Sequence, residues 1–292
     1  MCRQALNLGR KINVTITISS HSGRNLIYLC PMRDFTLTAY THLLQALISQ
    51  GYTFQTYAEF ITAPAPKAII LRHDVDALKQ NSLTFARIQA EHGVKGTYYF
   101  RTIPQSYDEQ VIKEMASLGH EIGYHYETMD TSRGDIDKAY EEFCRNLKTF
   151  RKIVPVTTIC MHGSPMSKYD NRDIWTKYDY RKLNLIAEPY FDTNFNQVFY
   201  LTDTGRRWDG HKVSIRDKAM KGSEATNPAF TKLHFKTTFD IIQAANQSEL
   251  PSQIMFTFHP QRWTNNPLLW IKELILQNTK NLIKFALVKL KG

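Results

Sequence analysis

The sequence predicts an α/β fold of parallel strands separated by helices, and three observations predict it. From residue 67 onward, short runs of strand character alternate with segments of helical spacing. The connections between them are short, as βαβ units require. Polar and ionisable residues collect at the C-terminal ends of the strand-like runs, where a parallel barrel places its chemistry.

The elements can be justified in order. Met32 opens "MRDFTLTAYTHLLQALISQGYTF", with Tyr40, Leu43, Leu44, Leu47 and Ile48 at helical spacing and Gly51 as a stop signal. "KAIILRHDVD" then reads as a buried strand and "ALKQNSLTFARIQAEHG" as a helix closed by Gly93. "KGTYYFR" is a strand, "DEQVIKEMASLG" a helix ending at Gly119, and "HEIGYHYE" a strand. "GDIDKAYEEFCRNLKTFRKI" is a helix started by Asp135 or Asp137, and "PVTTICMHG" a strand. Between 168 and 200, "NRDIWTKYDYRKLNLI" is compatible with a helix and "AEPYFD" with a loop or strand. "QVFYLTDTG" reads as a strand, "LHFKTTFDIIQAANQ" as a helix and "QIMFTFHP" as the last strand. The C-terminus, with five lysines and one Glu from Asn265 on, reads as one helix or two. Its expected arrangement is an apolar stripe on the barrel and lysines in water, with peripheral membrane contact as the alternative.

Composition bounds the function. The chain has 292 residues, 42% hydrophobic and 22% charged, as in an ordinary globular protein. A net charge of +10 favours anionic partners without specifying one. The charge is dispersed and no recognition module is visible, which argues against nucleic acid. No segment approaches the ~20 apolar residues of a membrane span. Cys2, Cys30, Cys144 and Cys160 show no CxxC pairing and read as free thiols of a reducing compartment. Thr and Ser interrupt "INVTITISS", a poor core for an export signal, so the cytoplasm is expected. Residues 1–31 hold four positive charges (Arg3, Arg10, Lys11, Arg24) and no acid. They read as an upstream extension with little packing of its own, ahead of a single domain at 32–292.

Residues i and i+2 share a face of a strand. By that rule Asp74 pairs with Asp76, His125 with Glu127, Tyr99 with Arg101, Cys160 with His162, Leu201 with Asp203, and Thr257 with His259. Two carboxylates on one strand face repel unless a cation, a ligand or a proton lies between them; their alternative role is to cap the helix that follows. Carboxylate and imidazole together are the usual non-thiolate ligands of a catalytic divalent metal. An extra carboxylate can take a proton from water, and a His on another strand can give one to a leaving group. His73, of opposite parity, and His120, at a helix–strand turn, read as structural.

From Lys67 to Pro260 the chain resembles the polysaccharide deacetylase superfamily, carbohydrate esterases that remove N- or O-acetyl groups from glycans. "HDVD" resembles the first motif, "GHEIGYH" the second, and "FTFHP" the fifth; "MHGSP" and "TDTGRRW" fall where the third and fourth belong. The resemblance implies a distorted (β/α) barrel of about seven parallel strands. It makes Asp74 the catalytic base, Asp76 and His125 metal ligands, and His259 the general acid, with Asp203 and Trp208 in the fourth motif. The family's second motif has another metal-binding His four residues after the first, and here that residue is Met129. A thioether is a weak ligand for zinc. His162, Glu127 and Asp130 are therefore candidates for the third ligand. Asp203 is expected to hold a catalytic side chain in place, and Arg101, Tyr126 and Trp208 to contact substrate.

The expected function is removal of an N-acetyl group from a sugar, assisted by a divalent metal, zinc first. The expected substrate is a nucleotide- or lipid-linked intermediate of surface polysaccharide synthesis. The alternatives are a metal-independent amidohydrolase acting on small cyclic amides and a non-catalytic sugar-binding barrel.

Overall fold

The computed structural model describes residues 33–163, 167–208 and 227–291, with side chains to Asn281; the extension at 1–31 lies outside them. The elements run α1 (Leu37–Ser49), β1 (Thr53–Gln55), α2 (Tyr57–Thr62), β2 (Ala68–Val75), α3 (Lys79–Glu91), β3 (Thr97–Phe100), α4 (Glu109–Ser117) and β4 (Glu121–Tyr126). They continue with α5 (Thr128–Thr131), α6 (Ile136–Arg151), β5 (Ile159–Met161), α7 (Pro189–Asp192) and β6 (Phe199–Thr202). The last are α8 (Pro228–Thr231), α9 (Thr238–Asn246), β7 (Gln253–Phe258) and α10 (Pro267–Lys291).

The strands form one seven-stranded sheet in the order β5-β4-β3-β2-β7-β6, with β1 beside the first half of β2, and every pairing is parallel. Residues of the inner face show that the sheet curls. Ile70, Tyr99 and Met255 from its middle share one buried cluster with Cys160 and Ala187 from one end and Val198 from the other. β5 and β6 are not paired to each other, so the expected distorted barrel is a curled half-barrel. Gly123 is required by this curl. A Cβ there would lie 2.3 Å from the ring of Tyr99, which crosses the lumen to bond Thr158 Oγ1 at 3.1 Å.

The N-terminal end of the half-barrel is closed by α2. Tyr57 and Phe60 enter the inner cluster. Tyr57 N donates to Thr97 Oγ1 at 2.7 Å, and Ala58 N to the buried carboxylate of Glu121 at 2.9 Å. Opposite parity fills the outer layer under the helices, including Ile69, Leu71, Tyr98, Tyr124, Ile159, Phe256 and Phe258. His73 belongs there. Its ring stacks on Tyr98 at 4.0 Å, and its nitrogens meet Thr97 O at 3.1 Å and Gln89 Nε2 at 2.9 Å. His120 bridges Ala86 O and Gly96 N, a structural role.

Three sequence expectations change. The stretch 168–186 holds two short 3₁₀ turns, Asn171–Thr176 and Tyr180–Leu183, started by Asp170 and Asp179 capping Arg172 N and Arg181 N. Ala187 then bridges Thr158 before α7. Gly51 does stop α1, but β1 and α2 follow it at once, too short for periodicity to register. The C-terminus is one helix, and Leu268, Leu269, Ile271, Ile275 and Leu276 on it face outward.

Candidate active site

The C-terminal ends of β2, β4, β5 and β7 bring the candidate residues together. On β2, inner-face parity aligns Arg72 and Asp74, with Asp76 just beyond the strand end. Neither carboxylate caps α3, whose N-cap is Leu78 with no side-chain bond. Instead Asp74 forms a bidentate pair with Arg72, Nε to Oδ1 at 2.9 Å and Nη2 to Oδ2 at 2.8 Å. Both residues are buried, Arg72 at 1% and Asp74 at 5% exposure. Burial acts to raise the Asp74 pKa, but Arg72 and His125 outweigh it and hold the carboxyl below its ordinary value.

Asp76 is set differently. Its Oδ2 accepts from Gln261 Nε2 at 3.2 Å, while Oδ1 is buried and has no hydrogen-bond partner. Two imidazoles face that oxygen, His125 Nε2 and His162 Nε2, each at 3.6 Å, and His259 Nε2 lies 3.9 Å from Oδ2. A separation of 3.6 Å is too long for a hydrogen bond.

The orientation of each imidazole has a visible cause. His125 Nδ1 meets Cys160 O at 2.9 Å; a carbonyl only accepts, so Nδ1 carries the proton and Nε2 faces Asp76. His162 Nδ1 lies 3.0 Å from Glu127 Oε2, and Arg101 clamps Glu127 through Nε at 3.0 Å and Nη2 at 2.6 Å. Burial works to raise the Glu127 carboxyl, yet His162 and Arg101 bring it down to about 2. His259 Nδ1 donates to Asp203 Oδ1 at 2.6 Å. Asp203 is fully buried and also accepts from His259 N at 2.9 Å, Arg262 Nη1 at 2.8 Å and Trp263 Nε1 at 2.7 Å. Burial opposes its ionisation, and His259 with Arg262 outweighs burial.

Asp74, Asp76, His125, His162, Glu127, Arg101, His259 and Asp203 thus form one connected set. Tyr126 and Trp208 lie outside it, which corrects their expected contact with substrate. Tyr126 has outer parity, is fully buried and accepts from Trp175 Nε1 at 2.9 Å. Trp208 packs with Phe35, Phe256, Phe258 and Trp263 and donates to Thr238 Oγ1 at 3.0 Å. Met129 is also in the outer core. Asp130 accepts from Asn171 Nδ2 at 3.2 Å and from Ser167, away from Asp76.

Sequence reasoning missed Arg72, Gln261, Arg262, Trp263 and Asn171. Arg72 was recoverable, because the i, i+2 rule that paired Asp74 with Asp76 also includes it. Asn171 was not: it bonds Met129 N at 3.0 Å and His162 O at 2.9 Å from an irregular segment.

The donor set fits a divalent cation. Asp76 Oδ1 is an orphaned buried acceptor, and Nε2 of His125 faces it. Asp74, His125 and Cys160 also have ligand atoms within 4.8 Å of one another. There, however, burial pushes the Cys160 thiol well up, and Arg72 already occupies Asp74. The Asp76-centred set of Asp76, His125 and His162 is the better fit.

The fold is a curled half-barrel of parallel strands, with the candidate residues gathered at the C-terminal strand ends. Solved structures to which the chain is similar include CE4 family pseudoenzymes and a peptidoglycan deacetylase. One is a CE4 pseudoenzyme from Bacillus anthracis, 12% identical, matching over 76% of this chain and 62% of that chain with a TM-score of 0.41. A mutant CE4 pseudoenzyme with restored enzymatic activity is 12% identical over 76% of this chain and 64% of its own, with a TM-score of 0.42. The match therefore spans less than two thirds of the length of each of these two pseudoenzymes. The peptidoglycan deacetylase PdaC from Bacillus subtilis is 13% identical over 76% of this chain and 98% of its own, with a TM-score of 0.35. Comparison of the sequence with protein families and with curated proteins finds no match.

Proposed function

We propose that the protein is a hydrolase of C–N amide bonds that removes an acetyl group from an N-acetylated sugar, with a divalent metal, zinc first, held by Asp76, His125 and His162. The observation that carries this reading is the buried, unpartnered Asp76 Oδ1 with two imidazole nitrogens 3.6 Å away. When bound, the metal supplies Lewis-acid polarisation of the acyl oxygen and lowers the pKa of water toward ~7.

The chain's own residues do the rest. Arg72 holds Asp74 ionised and fixes its plane, so that its free lone pairs accept the proton of the attacking water. His259, with one ring proton at Nδ1 held by Asp203, gives a second proton from Nε2 to the departing amine and is left neutral. The buried Asp203 carboxylate stabilises the imidazolium that does so. Arg101 and Glu127 keep His162 in position, and the exposed side of Arg101 is available to an anionic part of the substrate. A nucleotide- or lipid-linked sugar in the cytoplasm suits the basic chain.

The test is metal content and acetate release on the purified protein. Wild type is expected to hold one divalent ion per chain. Asp76→Asn loses the ion, while Asp74→Asn keeps it, and both lose acetate release. Metal content indifferent to Asp76→Asn, or acetate release surviving Asp74→Asn, would overturn the reading.

One observation favours a second reading, a non-catalytic sugar-binding barrel. Both Asp74 oxygens are engaged by Arg72, which weakens the carboxylate as a base. That reading predicts sugar binding without acetate release in wild type.

A further inference from the structure

The orientation of α10 is inverted for a helix that only packs on a domain. Its inner side is made by Trp270, Glu273, Leu274, Gln277 and Asn281. These fasten it to the loops of the site: Trp270 Nε1 donates to Asp34 O at 2.7 Å, Arg206 Nη1 to Trp270 O at 3.1 Å, and Asn281 Nδ2 to Gly205 O at 3.1 Å. The outer side carries Leu268 at 78% exposure, Leu269 at 55%, Ile271 at 47%, Ile275 at 61% and Leu276 at 45%. An ordinary surface helix buries such residues and exposes polar ones. An exposed apolar face of this kind marks an interaction surface.

Charge indicates the occupant. Lys272 and Lys280 are exposed on the same side as the apolar residues. Glu273, the single acid of the helix, is on the inner side in the field of Arg262, Lys280 and Arg206. Beyond Asn281 the sequence of the helix adds Lys284, Lys289 and Lys291 and no acid. The outer face therefore combines large aliphatic groups with ammonium groups and no acid of its own. A second copy of the chain would bring the same lysines against it, in a protein of net charge +10. The basic segment 1–31 would repel it for the same reason. A lipid surface with anionic headgroups matches both features, because acyl chains accept Leu and Ile while lysine stems reach up to phosphate.

We propose that α10 docks the protein onto an anionic membrane surface with its Leu268–Leu276 face in the interface. The same helix braces Gly205 and Arg206, just after Asp203, and begins five residues after Arg262. Docking through it holds the site beside the lipid, where a lipid-linked sugar would be met. The docking rests on the helix alone and not on the hydrolase reading.

The test uses the full chain in co-sedimentation with vesicles of phosphatidylglycerol and phosphatidylcholine mixed, and of phosphatidylcholine alone. Wild type is expected to bind the anionic vesicles, less so as salt rises, and the neutral ones weakly. Leu268→Gln with Ile275→Gln is expected to reduce binding about tenfold per residue, at unchanged thermal stability. Lys272→Glu with Lys280→Glu is expected to remove the preference for anionic lipid. Failure of wild type to bind the anionic vesicles would overturn the proposal. So would a concentration-dependent dimer that the Gln variant abolishes, since a second copy would then own the face. Acetate release from a soluble N-acetyl sugar, measured in parallel, should be the same in all these variants, so failure of docking is separable from failure of the hydrolase reading.

Discussion

Replacing Arg72 by Met keeps most of the buried stem and removes the guanidinium. Asp74 then remains a buried carboxylate whose nearest cationic partner is His125 Nε2, 3.9 Å away. Breaking a buried pair by deleting one member costs about 3–5 kcal/mol, since the surviving charge is left without compensation. For a domain of this size each kcal/mol corresponds to roughly 2–4 °C, so the melting temperature should fall by on the order of 10 °C at pH 7. The sign with pH follows from the direction of the shift. The folded Asp74 carboxyl titrates below its unfolded value of about 3.9, so the contribution of the pair is present above that value and is lost as pH falls through the folded one. Thermal unfolding of Arg72→Met, Asp74→Asn and the double variant checks this. The double variant should recover most of the loss, since no charge is then stranded. Single effects that simply add, within about 0.5 kcal/mol, would refute the pairing. In the acetate-release assay the acid limb of Arg72→Met should move to higher pH, because the base has lost the charge that kept it ionised.

Other perturbations separate the remaining roles. Glu127→Ala frees His162 Nδ1 and Arg101, and should weaken zinc binding by about 10–100-fold in competition with a chelator while the fold survives. Met129→His should not raise metal affinity, because Met129 is packed in the outer core; burying a poorly partnered imidazole there should instead cost about 1–3 kcal/mol in urea unfolding. Glu188 is fully buried, and burial pushes its carboxyl up to about 7 despite backbone bonds from Met161 N and Tyr190 N. A raised acid stabilises the fold below its unfolded value and loses that contribution as pH rises through the folded value. Wild type should therefore lose about 3 kcal/mol relative to Glu188→Gln between roughly pH 4.5 and 7, superposed on a constant offset from the lost acceptor.

Much of the fold was legible because its parallel strands are long apolar runs bounded by glycine and acidic residues. β2, β4 and β7 and the helices α1, α3, α4 and α6 fall where periodicity places them. β1 and α2 were illegible because three and six residues carry no period. The site was legible as far as strand parity reaches: Asp74, Asp76, His125 and His162 are strand-end residues of one face. Tyr126 and Trp208 were misplaced for the same reason, since aromatic side chains suit a sugar and a core equally well and only parity separates the two. Arg262 and Trp263, which hold Asp203, lie on a turn after β7, and Asn171 on a 3₁₀ segment, where no pattern in the sequence says which way a side chain points.

Among the described residues, three of the four acids at the mouth have a guanidinium of their own: Arg72 for Asp74, Arg101 for Glu127 and Arg262 for Asp203. Each of these couples cancels internally, and Asp76 is the acid left without a guanidinium. That unpaired carboxylate is where a small cation would be drawn first. On the proposed reading, a divalent ion bound there would turn the balance of the mouth positive, which would suit the negative oxygen that grows as an amide is attacked.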